Sequence, residues 1–331
     1  MAADVPPALL EALDAVLADI PPPVLHRASA RLSERYREQR GRGGPVARTE
    51  ADILAYVATR MPATFAAITA SLEAVREQRP AWQPRTLLDV GAGPGTGLWA
   101  AGGVWPSLDE AMALEAEPAM LALGQRLAGA ASRELVREAG WQRTSLPAAL
   151  PAGPFDVVLL AYVLGELPPA DRDRVVGNAA GATAKPDGLT VIVEPGTPDG
   201  YARVVRARDQ LIAGGGFVTA PCPHDAPCPI PENDWCHFSV RLARSVAHRS
   251  AKQAALGYED EKFAYVAVSG QPTARADARI VRHPQTRPRV IQLELCTAAG
   301  NLRSVTVTKS DREGFRLARK ADWGDAHPAP P

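Results

Sequence analysis

Thr86-Leu-Leu-Asp89-Val-Gly91-Ala92-Gly93-Pro-Gly95-Thr96-Gly97 is the stretch from which the fold is read. Its first five residues form a short apolar strand, and the glycines after them mark a turn into a helical segment. Strand, glycine loop and helix in that order give such a loop its meaning, because glycine lets a backbone approach a ligand and bend through torsions closed to other residues. In dinucleotide enzymes the loop faces a pyrophosphate at a helix N-terminus. Here Asp89 stands just before the glycines, where a carboxylate repels phosphate and suits an ammonium group, directly or through water. Glu115 ends the next strand about 24 residues after Gly91, where an acidic side chain accepts both hydroxyls of a ribose. Ammonium and ribose together point to S-adenosylmethionine (SAM), with NAD as the competing ligand of the loop. The expected binding set is Asp89, Gly91, Ala92, Gly93, Gly95 and Glu115.

Outward from this loop the pattern alternates. Ala111 to Leu114, Phe155 to Ala161 and Leu189 to Val193 read as further strands with helical stretches between them, which implies a parallel sheet covered by helices. The run from Phe155 through Tyr162 to Glu166 and Leu167 lines the crevice where such sheets bind ligands, and Tyr162 stacks on the bound molecule or packs as a buried aromatic. No Asn/Asp-Pro-Pro-Tyr motif occurs, so no catalytic residue is named from the sequence; methyl transfer from a sulfonium is promoted largely by positioning. Upstream, the first 80 residues read as helices, with Pro21 to Pro23 ending the first. Thr49 and Asp52 resemble a capping box, Met61-Pro62 forms a break, and Gly41 to Gly44 forms a flexible joint. Downstream, Lys262 to Ser269 continues the sheet, while Val290 to Cys296, Arg303 to Thr308 and Gly314 to Lys320 read as antiparallel strands.

The expected class is α/β, a Rossmann-like SAM-dependent (class I) methyltransferase fold. Its parts are an N-terminal helical region over 1–80, a SAM-binding domain over 81–270 with a cysteine-rich insertion at about 214–260, a β-rich unit over 271–325 and a disordered tail over 326–331.

Three of the chain's four cysteines, Cys222, Cys228 and Cys236, lie in one proline-rich loop, and Cys296 follows about 60 residues later. Thiolates are soft ligands for zinc and for iron-sulfur clusters, and four of them close either kind of site. The C-x5-C-x7-C spacing lacks the C-x2-C knuckle usual for zinc and favours a [4Fe-4S] cluster; zinc, with His224 or His237 replacing one thiolate, is the alternative. The radical-SAM signature C-x3-C-x2-C is absent. Four unrelated buried thiols are the plainer reading, set against the clustering of three in a polar loop.

Lys plus Arg and Asp plus Glu number 37 each, so no global field draws this chain to a polyanion and any such binding needs local patches. Three exist. Arg31, Arg35, Arg37, Arg40, Arg42 and Arg48 form the first; Arg241, Arg244, Arg249 and Lys252 the second, with no acid from 239 to 252; Lys309, Arg312, Arg316, Arg319 and Lys320 the third, beside Asp311 and Glu313. A solvated helix face is the ordinary explanation of each singly, whereas three in a neutral chain suggest RNA, with the second patch the expected contact. No apolar run approaches the roughly 18 residues that cross a bilayer, and the N-terminus shows no secretory signal; the expectation is a cytoplasmic protein with no membrane partner, a monomer off its target.

Several segments together resemble the ribosomal small-subunit methyltransferase-like family of bacteria and mitochondria. They are Ala55 to Thr64, Leu88 to Gly97, Val193-Glu-Pro-Gly196, Ala220 to Pro229, Trp235-Cys-His-Phe238, Tyr258 to Phe263 and Ala318 to Asp325. The cysteine segment is the most specific of these. The resemblance implies that Cys222, Cys228, Cys236 and Cys296 hold a [4Fe-4S] cluster, that the partner is the small ribosomal subunit and its rRNA, and that the protein serves assembly of that subunit. On this expectation the chain is a SAM-dependent methyltransferase-like protein whose cluster clamps the insertion to the terminal β unit. The alternatives are a non-catalytic assembly factor with SAM as a structural ligand, or a cluster-gated RNA-binding sensor.

Overall fold

In the computed structural model, which describes residues 5–38 and 49–328, four helices precede the first strand: α1 (Pro7–Leu17), α2 (Pro22–Glu38), α3 (Glu50–Thr59) and α4 (Met61–Gln78). Each has a local cause. Leu9, Leu13 and Leu17, four apart, give α1 its buried face. Proline in the first turn suits α2 and α4, where its ring fixes the helical torsion and its missing N–H has no intrahelical acceptor to lose. Thr49 opens α3 with a reciprocal cap: its hydroxyl accepts from the Asp52 N–H (3.2 Å), and its own N–H donates to Asp52 Oδ2 (3.1 Å). Asp52 is fully buried and also ion-pairs with Arg31 and Arg35, so one carboxylate starts α3 and ties it to α2. The chain bends by 46° between α3 and α4, where the sequence expects a break at Met61-Pro62. Among the described residues no single helix is long and apolar enough to cross a membrane; the bent α3–α4 pair has such a composition.

There follow β1 (Thr86–Val90), α5 (Thr96–Val104), β2 (Glu110–Glu115), α6 (Pro118–Ala128), α7 (Glu134–Arg137), β3 (Gly140–Arg143), β4 (Val157–Ala161), α8 (Pro169–Ala182), β5 (Leu189–Pro195), α9 (Pro198–Ala213), β6 (Phe217–Ala220), β7 (Phe238–Ala243), α10 (Val246–Lys252) and β8 (Tyr258–Ser269). They build an eight-stranded sheet ordered β3-β2-β1-β4-β5-β8-β6, with β7 also paired to β8. The five strands β1 to β5 run parallel; β8 runs antiparallel to its three neighbours. This is the Rossmann-like sheet of class I methyltransferases, and its strand order reverses between β1 and β4.

Strand alternation sorts the core into two layers. Leu87, Val157, Leu159, Val191, Val193, Tyr265 and Ala267 face the side covered by α1 to α5, whereas Leu88, Val90, Val158, Leu160, Ile192, Val266 and Val268 face α8 and α9. β8 is long enough to hold two partners on one edge: β6 pairs with its end at Ala267–Ser269, and β7 with its start at Tyr258–Phe263. The loop 221–237 leaves the sheet edge between them.

The remaining chain forms β9 (Ala278–Ile280), β10 (Gln285–Arg287), β11 (Val290–Thr297), β12 (Leu302–Thr308), α11 (Arg312–Ala318) and β13 (Ala326–His327). The five strands make an antiparallel sheet ordered β10-β11-β9-β13, with β12 on β11, around Ile280, Ile291, Leu293 and Leu295.

Three expectations need correction. Gly314 to Lys320, expected as a strand, is helical at its start: Asp311 caps it by accepting from the Gly314 N–H (2.9 Å), and Phe315 and Ala318, three apart, reach the core. The tail expected from 326 begins with a strand, because Ala326 and His327 pair with Arg279 and Ala278; residues 329–331 lie outside the described residues. The stretch 214–260 contributes two strands to the main sheet and is an insertion only over 221–237. The joint Gly41 to Gly44 and Arg40, Arg42 and Arg48, with the side chain of Arg37, lie outside the described residues.

Replacing Asp52 by Ala removes the cap and leaves two arginines without their carboxylate. We expect a loss of about 1–3 kcal/mol, read as a lower urea midpoint at unchanged slope. An unmoved midpoint would show that this carboxylate does not hold α2 and α3 together.

Candidate functional site

The strand-order reversal puts a pocket of about 280 Å³ at the C-terminal ends of β1, β2 and β4. Gly91 and Gly93 form one wall, Glu115 and Glu117 a second, Tyr162, Val163 and Glu166 a third, and Tyr56 of α3 reaches in from the N-terminal helices. Gly91 is required there: its φ is +72°, and a Cβ would lie 2.4 Å from Val163 Cγ2. Glu115 Oε2 accepts from the Gly93 N–H (2.7 Å) and Oε1 from the Glu117 N–H (2.8 Å), which fixes the carboxylate against the loop. The segment after β4 is pinned from behind. Glu194, fully buried on β5, accepts from the Leu164 N–H (3.0 Å) and from Arg203 Nε (2.6 Å). The Tyr162 hydroxyl donates to Glu261 Oε1 on β8 (2.9 Å), and Tyr162 takes a φ of +60°, a strained setting for an aromatic residue.

Of the residues expected to bind the ligand, Gly91, Gly93, Glu115 and Tyr162 line this pocket. Asp89, Ala92 and Gly95 stand behind it. Asp89 is buried beneath the loop, so close to Gly97 that a Cβ there would be 2.4 Å from Oδ2, and it braces the turn from within. Glu166 joins the wall with no residue signal beyond its place after β4. The pocket is acidic. Burial, reinforced by Glu115, Glu194 and Glu117, pushes the Glu166 carboxyl up to about 8. Burial with the neighbouring Glu115 raises Asp89 to about 7, and burial raises Glu115 too, against the backbone N–H groups that hold it down.

A second centre lies across β8. Cys222 follows β6, Cys228 sits mid-loop, Cys236 precedes β7 and Cys296 lies on β11, and all four line one cavity of about 40 Å³. All are free thiols. Its other walls are largely apolar, from α9, β8 and Val281, with two buried arginines. Arg208 donates to the carbonyls of His224 (3.0 Å) and Ala226 (2.7 Å), and Arg279 to those of Pro221 (3.0 Å) and Gly324 (2.8 Å). Arg208 also meets Asp209 (2.9 Å), while among the described residues Arg279 has no carboxylate partner, an uncommon state for a buried guanidinium. Tyr201 Oη is 3.1 Å from Cys228 Sγ, and His224 Nε2 is 3.3 Å from Cys296 Sγ. His237 is turned away, packed between Trp235 and Trp323. Burial raises the thiols of Cys222 and Cys236 and pushes Cys296 up to about 12. Among the described residues no group of three or more His, Cys, Asp or Glu is placed to hold a metal ion, although the four thiols line one cavity.

The expected RNA contact is largely neutralised. Arg241 donates twice to Asp260 (2.7 and 2.9 Å), Arg244 twice to Glu259 (3.2 and 3.1 Å), and Lys252 Nζ twice to Glu259 (2.6 and 2.8 Å). Arg249 alone of the four is exposed without a carboxylate among the described residues. The stretch 239–252 contains no acid, yet the β7–β8 ladder brings Arg241 opposite Asp260 and Leu242 opposite Glu259, so acids from the next strand complete the surface.

The description of the matching family is mitochondrial small ribosomal subunit Rsm22, and the match covers residues 50–328. The human mitochondrial ribosome assembly protein METTL17 is 35% identical over 297 residues, covering 85% of this chain and 63% of the human protein. Mitochondrial Rsm22-cox11 tandem protein 2 of Schizosaccharomyces pombe is 24% identical over 335 residues, covering 85% of this chain and 43% of that protein. The chain thus spans less than two thirds of the length of either. Among solved structures, the precorrin-6y C5,15-methyltransferase of Geobacter metallireducens overlaps with a TM-score of 0.41 at 13% identity, over 62% of this chain and 86% of that one.

The pocket's electrostatics set a sign for stability against pH. Glu166 and Asp89 hold protons in the folded protein that the unfolded chain has already released, so stability falls as pH rises from the ordinary carboxylate range toward about 8. Glu166→Gln, which carries no titrating proton, should show a shallower fall in Tm over that window. Parallel curves for the two proteins would contradict the raised carboxyl.

Proposed function

This chain belongs to the mitochondrial small ribosomal subunit Rsm22 family, and we propose on that footing that it is a SAM-dependent methyltransferase-like protein acting on small-subunit rRNA during subunit assembly, with a [4Fe-4S] cluster held by its four cysteines. The observation that carries the SAM reading is the acid-lined pocket at the strand-order reversal. A sulfonium and an ammonium are both cationic, and Glu115, Glu117 and Glu166 surround the space such a ligand fills. Glu115, already squared by two backbone N–H groups, is oriented to accept ribose hydroxyls. SAM bound here supplies an electrophilic methyl group; the chain supplies position, through the Glu194 and Glu261 contacts that fix the segment from Tyr162 to Glu166.

Glu115→Gln should weaken SAM binding by about tenfold in calorimetry, the effect of losing roughly 1.4 kcal/mol of charge-assisted hydrogen bonding. Because Glu166 is neutral below about 8, preference for SAM over S-adenosylhomocysteine, which lacks the sulfonium charge, should grow as pH rises through that value, and Glu166→Gln should flatten it. Absence of SAM binding by the wild-type protein would remove the reading. Binding without transfer of labelled methyl to immature or mature small subunits would leave the ligand-stabilised assembly factor, whose support is that METTL17 is named an assembly protein.

For the cluster, the support is the donor set. Four thiols lining one cavity would supply a complete ligand set for an iron-sulfur cluster, with zinc as the alternative for the same donors. Bound thiolates would also give Arg279 and Arg208 the negative partners that buried guanidinium groups need. Anaerobically purified protein should be brown and hold about four irons per chain. Cys296→Ser, which releases the terminal sheet from the loop 221–237, should lower the iron content and hasten proteolysis between β8 and β9. A colourless protein with one zinc per chain would decide for the alternative metal.

A further inference from the structure

Outside the two centres the terminal sheet carries a set of cations with no ion-pair partner among the described residues, and we propose that this face, formed by α11 and the β10–β11 turn, binds the phosphodiester backbone of RNA. The inference rests on the small-subunit reading above and names its contact surface. Lys309, Arg312, Phe315, Arg316, Arg319 and Lys320 line a concavity of about 650 Å³. Arg312, Phe315, Arg316 and Arg319 follow the i, i+3, i+4, i+7 spacing of a single helical face, so the stripe is built by the helix and would scatter if the segment were a strand. The five cations are exposed, and among the described residues none has a carboxylate within ion-pair reach. In contrast, Arg241, Arg244 and Lys252 are all matched by acids. Of the two acids beside the stripe, Asp311 is engaged in capping α11, and Glu313 forms no ion pair with these cations.

Two features run against local stability. Arg312 and Arg316 are like charges four apart on a seven-residue helix, an arrangement that costs a few tenths of a kcal/mol. Arg289, exposed between β10 and β11, has a φ of +71°, a region that favours glycine, and its carbonyl accepts from the N–H of Lys309 (3.0 Å), a residue that lines the concavity, so the β10–β11 turn adjoins it. A chain that keeps arginine where glycine fits better, and repelling arginines on a short helix, is retaining charge for a partner. The partner chemistry follows from the residue types. Arginine presents a planar fork that matches phosphate oxygens, and the half-buried Phe315 gives the concavity an apolar floor, the combination found where strands of nucleic acid track a protein groove.

The experiment compares full-length wild type, the triple variant Arg312→Gln/Arg316→Gln/Arg319→Gln, Arg289→Gly and Arg241→Gln for binding of transcribed small-subunit rRNA across a salt series. The triple variant should lose at least about tenfold in affinity, and its log K against log salt slope should shrink by about three, one for each cation removed. Arg289→Gly should shrink the slope by about one while raising Tm, since it relieves the backbone, and Arg241→Gln should leave the slope unchanged. Arg289→Gly keeps the test decisive if the triple variant folds poorly. Unchanged slopes in both would overturn the surface while leaving the small-subunit function standing. A wild-type protein that binds no rRNA at any salt would overturn both together. Binding of poly-L-glutamate as tightly as rRNA at equal charge would overturn the phosphodiester assignment in favour of an acidic protein.

Discussion

The antiparallel pairing of β8 is the constraint on which the other parts depend. Residues 258–269 serve β5 along one edge and both β6 and β7 along the other, so one strand closes the nucleotide-type sheet and divides its last edge in two. The division is what releases the loop 221–237 at a defined place, with Cys222 and Cys236 held by the strands on either side. The same strand steadies the ligand pocket through Glu261 and Tyr162, matches Arg241 through Asp260, and walls the thiol cavity with Ala264, Tyr265 and Val266. A slip of one residue in its register would turn all of these to the opposite face.

The two centres are electrically opposed. The pocket collects carboxyls that burial raises, and the cavity collects guanidinium groups behind thiols that burial raises as well. Each lacks, among its lining residues, the charge that the other holds. The neutral total of the chain conceals this, since equal counts of acid and base say nothing of how far apart they are placed.

What could be read from the sequence was whatever depends on neighbours along the chain. The glycine loop, the alternation of β1, β2, β4 and β5, and the capping box of Thr49 and Asp52 carry their own signal, and each stands where the residues imply. β3, Gly-Trp-Gln-Arg, has no alternation to read because it lies at a sheet edge with little to bury. α11, expected as a strand, is set as a helix by the Asp311 cap and by which apolar residues the terminal core accepts, since Phe315 packs on it while Leu317 is left 44% exposed. The patch around Arg241 misled for a related reason. Its counter-charges are distant in sequence and adjacent only across a ladder, and the buried Arg208 and Arg279 likewise acquire meaning only from the carbonyls the fold brings to them.

The distribution of the four cysteines along the chain also sets an order of events. Three thiols lie on one short loop, and the fourth wall of their cavity, β11, is made only after the sheet strands that flank that loop. The residues that line the ligand pocket, by contrast, are all present by Pro168. A chain emerging from its N-terminus therefore carries an open, three-thiol loop for the time taken to synthesise everything from β7 to β11. During that interval the loop is accessible to solvent and to oxidants, and it becomes enclosed when the terminal sheet docks. Synthesis thus divides the life of this segment into an exposed period and a sealed one, with Cys296 marking the boundary.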